Sequence, residues 1–308
     1  MVKMSNKNNK VLVTGGAGFV GHHLVNKLLE NNFEVNIIDD LSSGKDERIN
    51  EKANFFKGDI RDKNILSKSI KDCSYIVHLA ARVDLQRSIT DPSDCFSVNV
   101  IGTSNIIEEA LKNSINKIVF ASTCAVYPMI VNGSIKEDCE LKGNTPYALS
   151  KRTCERMFEF YYENFDINFA ALRCFNIYGI GQNIDSLYSA AIPTFIKNAK
   201  NGNPLELNNG GIQTRDFISV NDVSNAMIKM LKSKCSGIFN LGSGIETSIE
   251  SLAKMVISIE KKSDVIKLPA KKGDALRSFA DIGKISQTIE FEVSDILEDY
   301  LKKIYNYY

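Results

Sequence analysis

Long apolar runs are missing from this sequence of 308 residues. No stretch reaches the roughly 18 to 20 consecutive apolar residues that a membrane-spanning helix needs. The first ten residues are polar and basic, which excludes a secretory signal peptide at this end of the chain. We therefore expect a cytoplasmic protein that has no membrane partner.

Patterns for disulfides and metal sites are missing too. The seven cysteines are odd in number, scattered, and include no CxxC pair, which argues against a disulfide framework and against a zinc site. Only three histidines occur in the chain, so a histidine-rich metal site is not expected. We predict reduced thiols and no bound metal.

Charge of one sign is not in excess, because 38 lysines and arginines stand against 37 aspartates and glutamates. A net charge of +1 lacks the basic field of a general nucleic-acid binder. The hydrophobic fraction of 44% is enough for a core and excludes a mainly disordered chain. At about 150 residues per domain, the length allows two domains.

Short apolar strands and helical patterns alternate in the first half of the chain, and one further helix and strand follow in the more mixed second half. The predicted strands are 10–14, 34–39, 53–57, 75–80, 117–121 and 168–172, and the predicted helices are 18–30, 62–70, 92–111 and 147–164. Strands that are separated by helices need crossover connections, so they form a parallel sheet with helices on both faces. The pattern becomes mixed near residue 175, which we take as the domain boundary.

A glycine-rich segment, Thr14–Gly21 (TGGAGFVG), joins the first predicted strand to the first helix. Gly15 permits a tight turn, Gly18 lets the backbone approach a pyrophosphate, and Gly21 lets helix and strand pack closely. The N–H groups and the dipole of the helix start favour an anion there. An ordinary strand-to-helix turn is the alternative, but the strand before and the helix after favour a dinucleotide site.

Aspartates at predicted strand ends support this site. Asp39 ends the second strand, close to the offset of about 20 residues expected for an acid that binds the adenosine ribose. Its charge repels a 2′-phosphate, which favours NAD over NADP. Asp40 is interpreted as a cap or a solvent-facing residue. Asp59 follows the third strand and is either an adenine contact or a turn residue.

A second group of polar residues has the composition of a general base. Tyr147 and Lys151 are four residues apart on a predicted helix, so they share one face, and a positive charge favours the phenolate. A surface tyrosine beside a solvated lysine is the alternative. Thr123 follows the fifth predicted strand, at the carboxyl edge where parallel sheets bind ligands. Its hydroxyl binds a reacting oxygen or caps the strand end.

Together these motifs resemble the extended short-chain dehydrogenase/reductase family, in its NAD-dependent nucleotide-sugar epimerase/dehydratase branch. The resemblance covers nearly the whole chain. It extends through His78–Ala81 (HLAA), Asn99–Thr103 (NVIGT), Arg173–Gly179 (RCFNIYG), Gln213–Phe217 (QTRDF), Asn240–Gly244 (NLGSG) and Gly273–Asp274. It implies a Rossmann-type doubly wound sheet that binds NAD in residues 1–175, to which some later segments return. Residues 176–308 would form a smaller α/β domain for the nucleotide sugar.

The same resemblance implies site residues, a UDP-sugar substrate and a homodimer formed through the helices near 92–111 and 147–164. Catalytic roles fall to Thr123, Tyr147 and Lys151. The implied cofactor contacts are Gly15, Gly18, Phe19, Val20, Gly21, Asp39, Asp59, Ile60, Leu79, Ala80, Ala81, Asn99, Tyr147, Lys151 and Phe175. The implied substrate contacts are Val83, Thr123, Asn176, Arg215, Lys271 and Ser278. Lys271 stands where relatives carry an arginine, which keeps the charge but loses bidentate geometry.

Two positions narrow the reaction that the resemblance implies. Dehydratases and decarboxylases of this branch carry acidic residues after the Ser/Thr, where this sequence has Cys124 and Ala125. We therefore expect C4 epimerisation of a UDP-hexose through a 4-keto intermediate. Ser278 stands where strict glucose/galactose epimerases carry a bulky tyrosine, which leaves room for an acetamido group. UDP-Glc/UDP-Gal and UDP-GlcNAc/UDP-GalNAc are the expected substrates, unless Ser278 is a loop serine without selectivity.

Two other functions remain open. The TCAVYP string at 123–128 is similar to that of GDP-sugar 3,5-epimerases, so Cys124 is a candidate acid or base of a GDP- or UDP-sugar 3,5-epimerase/reductase. A non-catalytic NAD-binding regulator on the same fold is the other alternative. Asp222 is interpreted as the N-cap of the helical run that follows it, not as a ligand.

Overall fold

The computed structural model describes residues 9–128, 133–184, 191–260, 262–270 and 276–308. Lys271, a predicted substrate contact, and Gly273–Asp274, part of the family resemblance, lie outside the described residues. The chain divides into two compact units. The first unit comprises the chain up to Val126, Gly143–Arg173 and Ser224–Phe239, and the second comprises Tyr127–Lys142, Cys174–Val223 and Asn240–Tyr308.

The strands and helices are numbered in chain order. The strands are β1 (Lys10–Thr14), β2 (Glu34–Asp39), β3 (Asn54–Lys57), β4 (Tyr75–His78), β5 (Lys117–Thr123), β6 (Phe169–Cys174), β7 (Asn176–Tyr178), β8 (Leu205–Leu207), β9 (Thr214–Arg215), β10 (Phe217–Ser219), β11 (Gly237–Leu241), β12 (Thr247–Ser248) and β13 (Val265–Lys267). The helices are α1 (Phe19–Glu30), α2 (Lys63–Ser69), α3 (Leu85–Thr90), α4 (Pro92–Phe96), α5 (Gly102–Lys112), α6 (Pro146–Phe165), α7 (Ala191–Lys200), α8 (Val220–Lys232), α9 (Ile249–Glu260), α10 (Gly283–Ile289) and α11 (Leu297–Tyr307).

A seven-stranded parallel sheet forms the framework of the first unit, in the order β11-β6-β5-β4-β1-β2-β3. From β1 the chain builds β2 and β3 on one side, then crosses back to build β4 and β5 on the other. Such a reversal opens a crevice at the carboxyl ends of the two central strands, here β1 and β4. This doubly wound architecture confirms the predicted α/β fold class.

Apolar strands and helix faces bury one continuous core in this unit. Leu12, Ile76, Ile118, Phe158 and Phe169 are among its fully or almost fully buried members. Phe158 of α6 stacks against Phe169 of β6 with 5.6 Å between ring centroids. This packing fixes α6 against the sheet, so the first turn of α6 has a defined position relative to the strand ends.

The predicted helix at 92–111 is interrupted in the structure. It consists of α4, a π-helical turn at Ser97–Ile101, and α5. A π turn widens the helix by one residue and often marks a functional position. Here it contains Asn99, which is almost fully buried.

The second unit contains shorter strand pairs. Strands β7 and β10 pair in parallel, as do β8 and β13, whereas β9 and β12 are antiparallel. A separate core forms around side chains such as Tyr178, Ile196, Leu252 and Leu301. In the described parts of both units, no helix combines the length and the apolar character needed to cross a bilayer.

The predicted N-cap role of Asp222 is wrong. Helix α8 begins at Val220, and the Ser219 hydroxyl accepts the Asp222 N–H at 3.0 Å, so Ser219 caps this turn. The Asp222 carboxylate instead accepts the Ser294 hydroxyl and the Ser294 N–H, the latter at 3.1 Å. Its acceptor oxygens therefore fix the segment that leads into α11.

Candidate active site

The glycine-rich loop between β1 and α1 (residues 15–18), called the phosphate loop below, lies at the crevice between β1 and β4. Gly15 has φ +72°, and a Cβ added there would lie 2.8 Å from the Ala80 nitrogen. A Cβ on Gly21 would lie 2.1 Å from the Gly15 oxygen. Only glycine fits either position, because the backbone approach leaves no room for a side chain. No side chain in the described structure caps the start of α1, so its first N–H groups are available to an anion.

One cleft collects most of the residues that the sequence assigned to the cofactor. Its lining includes the predicted residues Gly15, Gly18, Phe19, Val20, Gly21, Asp39, Asp59, Ile60, Leu79, Ala80 and Ala81, together with Val83, which was expected to contact the substrate. The lining also includes Ile38, Asp40, Ser42, Ser43, Gly58, Arg82 and Val98, which sequence reasoning did not assign. The glycine cradle and an acid at the end of β2 fit a dinucleotide with a free ribose.

Asp39 is held at the end of β2 by backbone donors. Its two carboxylate oxygens accept the Ala17 N–H at 3.0 Å and the Leu41 N–H at 2.8 Å. Burial raises its pKa, while these two hydrogen bonds act in the opposite direction. Asp40 has the loop-capping role, because its carboxylate accepts the N–H and the hydroxyl of Ser42 at 2.9 and 2.6 Å.

Asp59 has its predicted place in a turn, and it also lies at the cleft, where its contact with adenine stays a prediction. It accepts the Arg61 N–H at 2.8 Å in a turn, and it also lines the cleft. The Arg61 guanidinium donates to both carboxylate oxygens and, through these hydrogen bonds, lowers the Asp59 pKa. The carboxylate is therefore ionised at the rim of the cleft.

The catalytic candidates lie where α6 starts and β5 ends. Thr145 caps α6 by accepting the Ala148 N–H at 3.2 Å, and Tyr147 follows in the first turn, half-buried. Lys151 is almost fully buried. Its Nζ donates to the Ala121 carbonyl at 2.9 Å and lies 4.6 Å from the centroid of the Phe120 ring. The predicted alternative of a solvated surface lysine is therefore wrong.

Thr123 is the last residue of β5, the strand that holds Lys151. Its Oγ1 accepts the Ala125 N–H at 3.2 Å, so the hydroxyl caps the strand end and keeps its proton for a second partner. Thr123 is largely buried, with 9% of its surface exposed. The threonine hydroxyl and the lysine ammonium are therefore fixed by the same strand.

Asn99 connects the loop after β4 to helix α6. Its Nδ2 donates to the Ser150 hydroxyl at 2.9 Å, and that hydroxyl donates to the Tyr147 carbonyl at 2.7 Å. Its Oδ1 accepts the Arg82 N–H at 2.7 Å. Sequence reasoning assigned Asn99 to the cofactor but missed Ser150, although Ser150 stands inside the YALSK motif.

The remaining predicted residues belong to the second unit. Phe175 is buried, and its N–H donates to the Leu241 carbonyl at 2.9 Å. Asn176 donates through Nδ2 to the Asp216 carbonyl at 2.9 Å, and Arg215 donates through Nη1 to the Thr214 carbonyl at 2.8 Å. Asn176, Arg215 and Ser278 are half-buried.

Asp216 organises the residues around Arg215. Its fully buried carboxylate accepts the Ser243 N–H, the Ser243 hydroxyl, the Gly244 N–H and the Ala280 N–H at 2.6 to 3.0 Å. Burial raises its pKa, and these donors oppose the shift. One carboxylate thus joins the QTRDF and NLGSG motifs to the segment around Ala280.

The fold and the glycine cleft define a dinucleotide-binding enzyme of the Rossmann type. Residues 11–242 match the model of the NAD dependent epimerase/dehydratase family, and the chain belongs to this family. Its cofactor is NAD. The similar proteins include NAD-dependent nucleotide-sugar 4-epimerases, which are isomerases.

Three proteins that are similar to this chain are 4-epimerases of UDP-sugars. A UDP-N-acetylglucosamine 4-epimerase of Methanobrevibacter ruminantium M1, in complex with UDP-N-acetylmuramic acid, has a TM-score of 0.92, 32% identity and 97% coverage of both chains. A UDP-glucose 4-epimerase of Thermotoga maritima with UDP-glucose has a TM-score of 0.92 and 29% identity, covering 97% of this chain and 98% of that chain. A UDP-glucose 4-epimerase of Halalkalibacterium halodurans is 32% identical over 265 residues, 80% of this chain and 78% of the relative.

Proposed function

We propose that the protein catalyses C4 epimerisation of UDP-hexoses through a 4-keto intermediate. The observation that carries this proposal is the attachment of Lys151 to Ala121 of β5, the strand that ends at Thr123. Tyr147 precedes Lys151 by one helical turn, so a base and a hydroxyl belong to adjoining elements. The dinucleotide cleft opens from the same sheet.

In the proposed reaction, Tyr147 accepts the proton of the 4-hydroxyl. The fixed ammonium of Lys151 favours the phenolate form that this step needs. Thr123 holds the sugar oxygen through its hydroxyl while the C4–O bond gains double-bond character. NAD, when bound, supplies the acceptor and then the donor of the C4 hydride. After the keto sugar presents its other face, Tyr147 returns the proton and C4 is inverted.

For the substrate, we propose UDP-Glc/UDP-Gal and UDP-GlcNAc/UDP-GalNAc. Ser278 offers a small side chain at the sugar position that the resemblance implies, and its half-buried state suits a pocket wall. Asn176, Arg215 and Lys271 are the proposed contacts of the diphosphate, with Val83 and Thr123 near the sugar. The neighbours that bind UDP-glucose and UDP-N-acetylmuramic acid support a UDP-linked sugar.

For the cofactor, we propose contacts from the cleft residues and from Asn99, Phe175, Tyr147 and Lys151.

We also propose a cytoplasmic homodimer. Large apolar side chains stand exposed on the helices near 92–111 and 147–164: Ile101 is 55%, Leu149 45% and Phe160 53% exposed. Burying them between two copies would remove apolar surface from water. Light scattering of wild type and Phe160→Glu tests this, since only the variant should be monomeric.

The direct test of the activity uses the purified protein with UDP-Gal, UDP-GalNAc and UDP-GlcA in separate incubations, after which the C4 epimers are resolved. We expect epimers of the first two. Tyr147→Phe should abolish both conversions, whereas Tyr162→Phe, on an exposed part of the same helix, should not. Undiminished turnover by Tyr147→Phe would rule the proposal out.

The role of Cys124 distinguishes the second candidate function, that of a 3,5-epimerase/reductase, from C4 epimerisation. The Cys124 thiol is half-buried and directly follows Thr123, which is a suitable place for an acid or base. Cys124→Ser should leave a C4 epimerase active, because the proposed steps do not use the thiol. Collapse of activity in that variant would favour the 3,5-epimerase instead. A non-catalytic regulator would bind NAD and convert none of the sugars.

A further inference from the structure

The side chain of Asn99 binds both the N–H and the carbonyl of Arg82. The Arg82 N–H donates to Asn99 Oδ1 at 2.7 Å, and the Arg82 carbonyl accepts from Asn99 Nδ2 at 3.1 Å. Asn99 itself is almost fully buried in the π turn. The Arg82 side chain therefore leaves the sheet edge from one defined point after β4.

The Arg82 guanidinium links three segments of the first unit. Its Nε donates to Asp94 Oδ2 of α4 at 2.9 Å, and its Nη1 donates to the Ser42 hydroxyl at 2.6 Å. Its Nη2 lies 3.6 Å from Asp40 Oδ2. Asp40 and Ser42 both belong to the loop after β2, so the side chain joins the loops that follow β4 and β2.

These two loops flank the phosphate loop. In the sheet, β1 lies between β4 and β2, and the phosphate loop follows β1. Because neighbouring strands are about 4.8 Å apart, a connection between the two outer loops spans roughly 10 Å above the end of β1. Arg82, Asp40 and Ser42 line the same cleft as Gly15 and Gly18.

We propose that Arg82 is a clamp that crosses the cofactor cleft and slows the release of NAD. The inference rests on the proposed function, because a C4 epimerase ends each turnover with the cofactor in its starting form and needs no exchange. The guanidinium suits this task, since it makes several charge-assisted hydrogen bonds in a fixed geometry. Release of the dinucleotide requires the bonds to Ser42 and Asp40 to break first.

The test measures dissociation of NAD from the holoenzyme without any sugar. Protein loaded with radiolabelled NAD is chased with excess unlabelled NAD, and the bound label is followed by rapid gel filtration. Arg82→Gln should release the label about tenfold faster or more, as expected for loss of charge-assisted hydrogen bonds. The matched control is Arg87→Gln. Arg87 lies on α3, 3.6 Å from the same Asp94, with 63% of its side chain exposed, and its loss should not change the rate.

Equal release rates for wild type and Arg82→Gln would overturn the clamp, and so would equal acceleration by Arg87→Gln. If Arg82→Gln does not fold, Ser42→Ala against Ser93→Ala decides, because the Ser42 hydroxyl binds the guanidinium, whereas Ser93 is exposed on α4 and is not part of the cleft lining. Faster release by Ser42→Ala alone supports the clamp, and identical rates refute it. Turnover of the UDP-sugars is scored separately, so slow NAD release without epimerisation would refute the proposed function and leave the clamp standing.

Discussion

The Lys151 ammonium donates a 2.9 Å hydrogen bond to the Ala121 carbonyl, two residues before the end of β5. This contact determines where the positive charge of the site lies, because a buried ammonium cannot exchange its partner for water without cost. The helix turn that carries Tyr147 is fixed by the same contact. The base of the proposed reaction is therefore positioned by the sheet, not by a surface loop.

Removing the Lys151 charge should reduce kcat much more than it reduces the affinity for the UDP-sugar. Lys151→Met keeps the length of the side chain but no longer favours the phenolate, and we expect kcat to fall about a hundredfold or more. The remaining activity should rise toward higher pH, where a phenolate forms without help. Steady-state kinetics with UDP-Gal from pH 6 to 10 measure both effects. Arg152→Met, at the exposed neighbouring position, is the control, and equal losses in the two variants would contradict the role of Lys151.

A buried ion pair should be needed to hold α6 against β6. Glu155 and Arg173 form a bidentate pair at 2.9 Å, and the Ser122 hydroxyl donates to the same carboxylate at 2.5 Å. Glu155→Gln leaves the buried guanidinium uncompensated, so the free energy of unfolding should fall by about 3 to 5 kcal/mol. Urea denaturation measures it. Glu163→Gln, exposed on the same helix, should change little, and a loss below 1 kcal/mol in Glu155→Gln would contradict this role.

Stability should fall in acid because of His78. Burial lowers its pKa to about 3 from the ordinary 6.5, and its ring bonds Thr14 at 2.7 Å and Thr103 at 2.9 Å. Between pH 6.5 and 3 the unfolded chain binds a proton that the folded chain does not. The unfolded state therefore becomes more stable relative to the folded state as pH falls. His78 alone should make the free energy of unfolding about 2 kcal/mol lower at pH 5 than at pH 8.

Urea titrations at pH 8, 6.5 and 5 measure this slope. The pKa of His22 is also lowered, to about 4, mainly by burial, so it adds to the same trend. His78→Asn should therefore remove part of the slope and not all of it. Identical slopes in wild type and His78→Asn would show that the buried histidine does not control acid stability.

The side chain at position 278 should set the choice of sugar. Ser278→Tyr fills volume that an acetamido group would need, so turnover of UDP-GalNAc should fall at least tenfold more than turnover of UDP-Gal, by loss of about 1.4 kcal/mol or more of binding. The ratio of the two kcat/KM values is the measurement, and UDP-Gal activity is the internal control for folding. An unchanged ratio would leave Ser278 without a role in selectivity.

Much of the sheet was predictable because its strands are short apolar runs between helical patterns. The predicted strands 10–14 and 34–39 have the observed bounds, and β5 is longer than predicted because it continues through Ser122 to Thr123. Strand β4 stops at His78 instead of residue 80, since the Ala80 N–H turns to the Thr14 hydroxyl at 3.1 Å. The glycine spacing predicted the cleft, because a position such as Gly15 has no room for a side chain and must therefore be glycine in the sequence.

Contacts between polar side chains on separate elements were not predictable in the same way. Nothing in the spacing of Ser150, Glu155 or Arg82 shows which partner each will meet, because such pairs form only after the sheet brings distant segments together. The π turn around Asn99 was missed for a related reason, since one extra residue barely alters the apolar period of a helix. The cap of α8 is Ser219 because the helix begins at Val220, directly after β10, and so earlier than the helical run that follows Asp222 in the sequence.

The most direct measurement follows the hydrogen at C4 during turnover. UDP-Gal is incubated with the protein in D2O, and the epimer is examined by NMR and mass spectrometry. Removal and return of the C4 hydrogen as hydride predicts UDP-Glc that carries no deuterium on its sugar carbons. Deuterium at C3 or C5 would contradict C4 epimerisation and indicate proton abstraction next to a carbonyl instead.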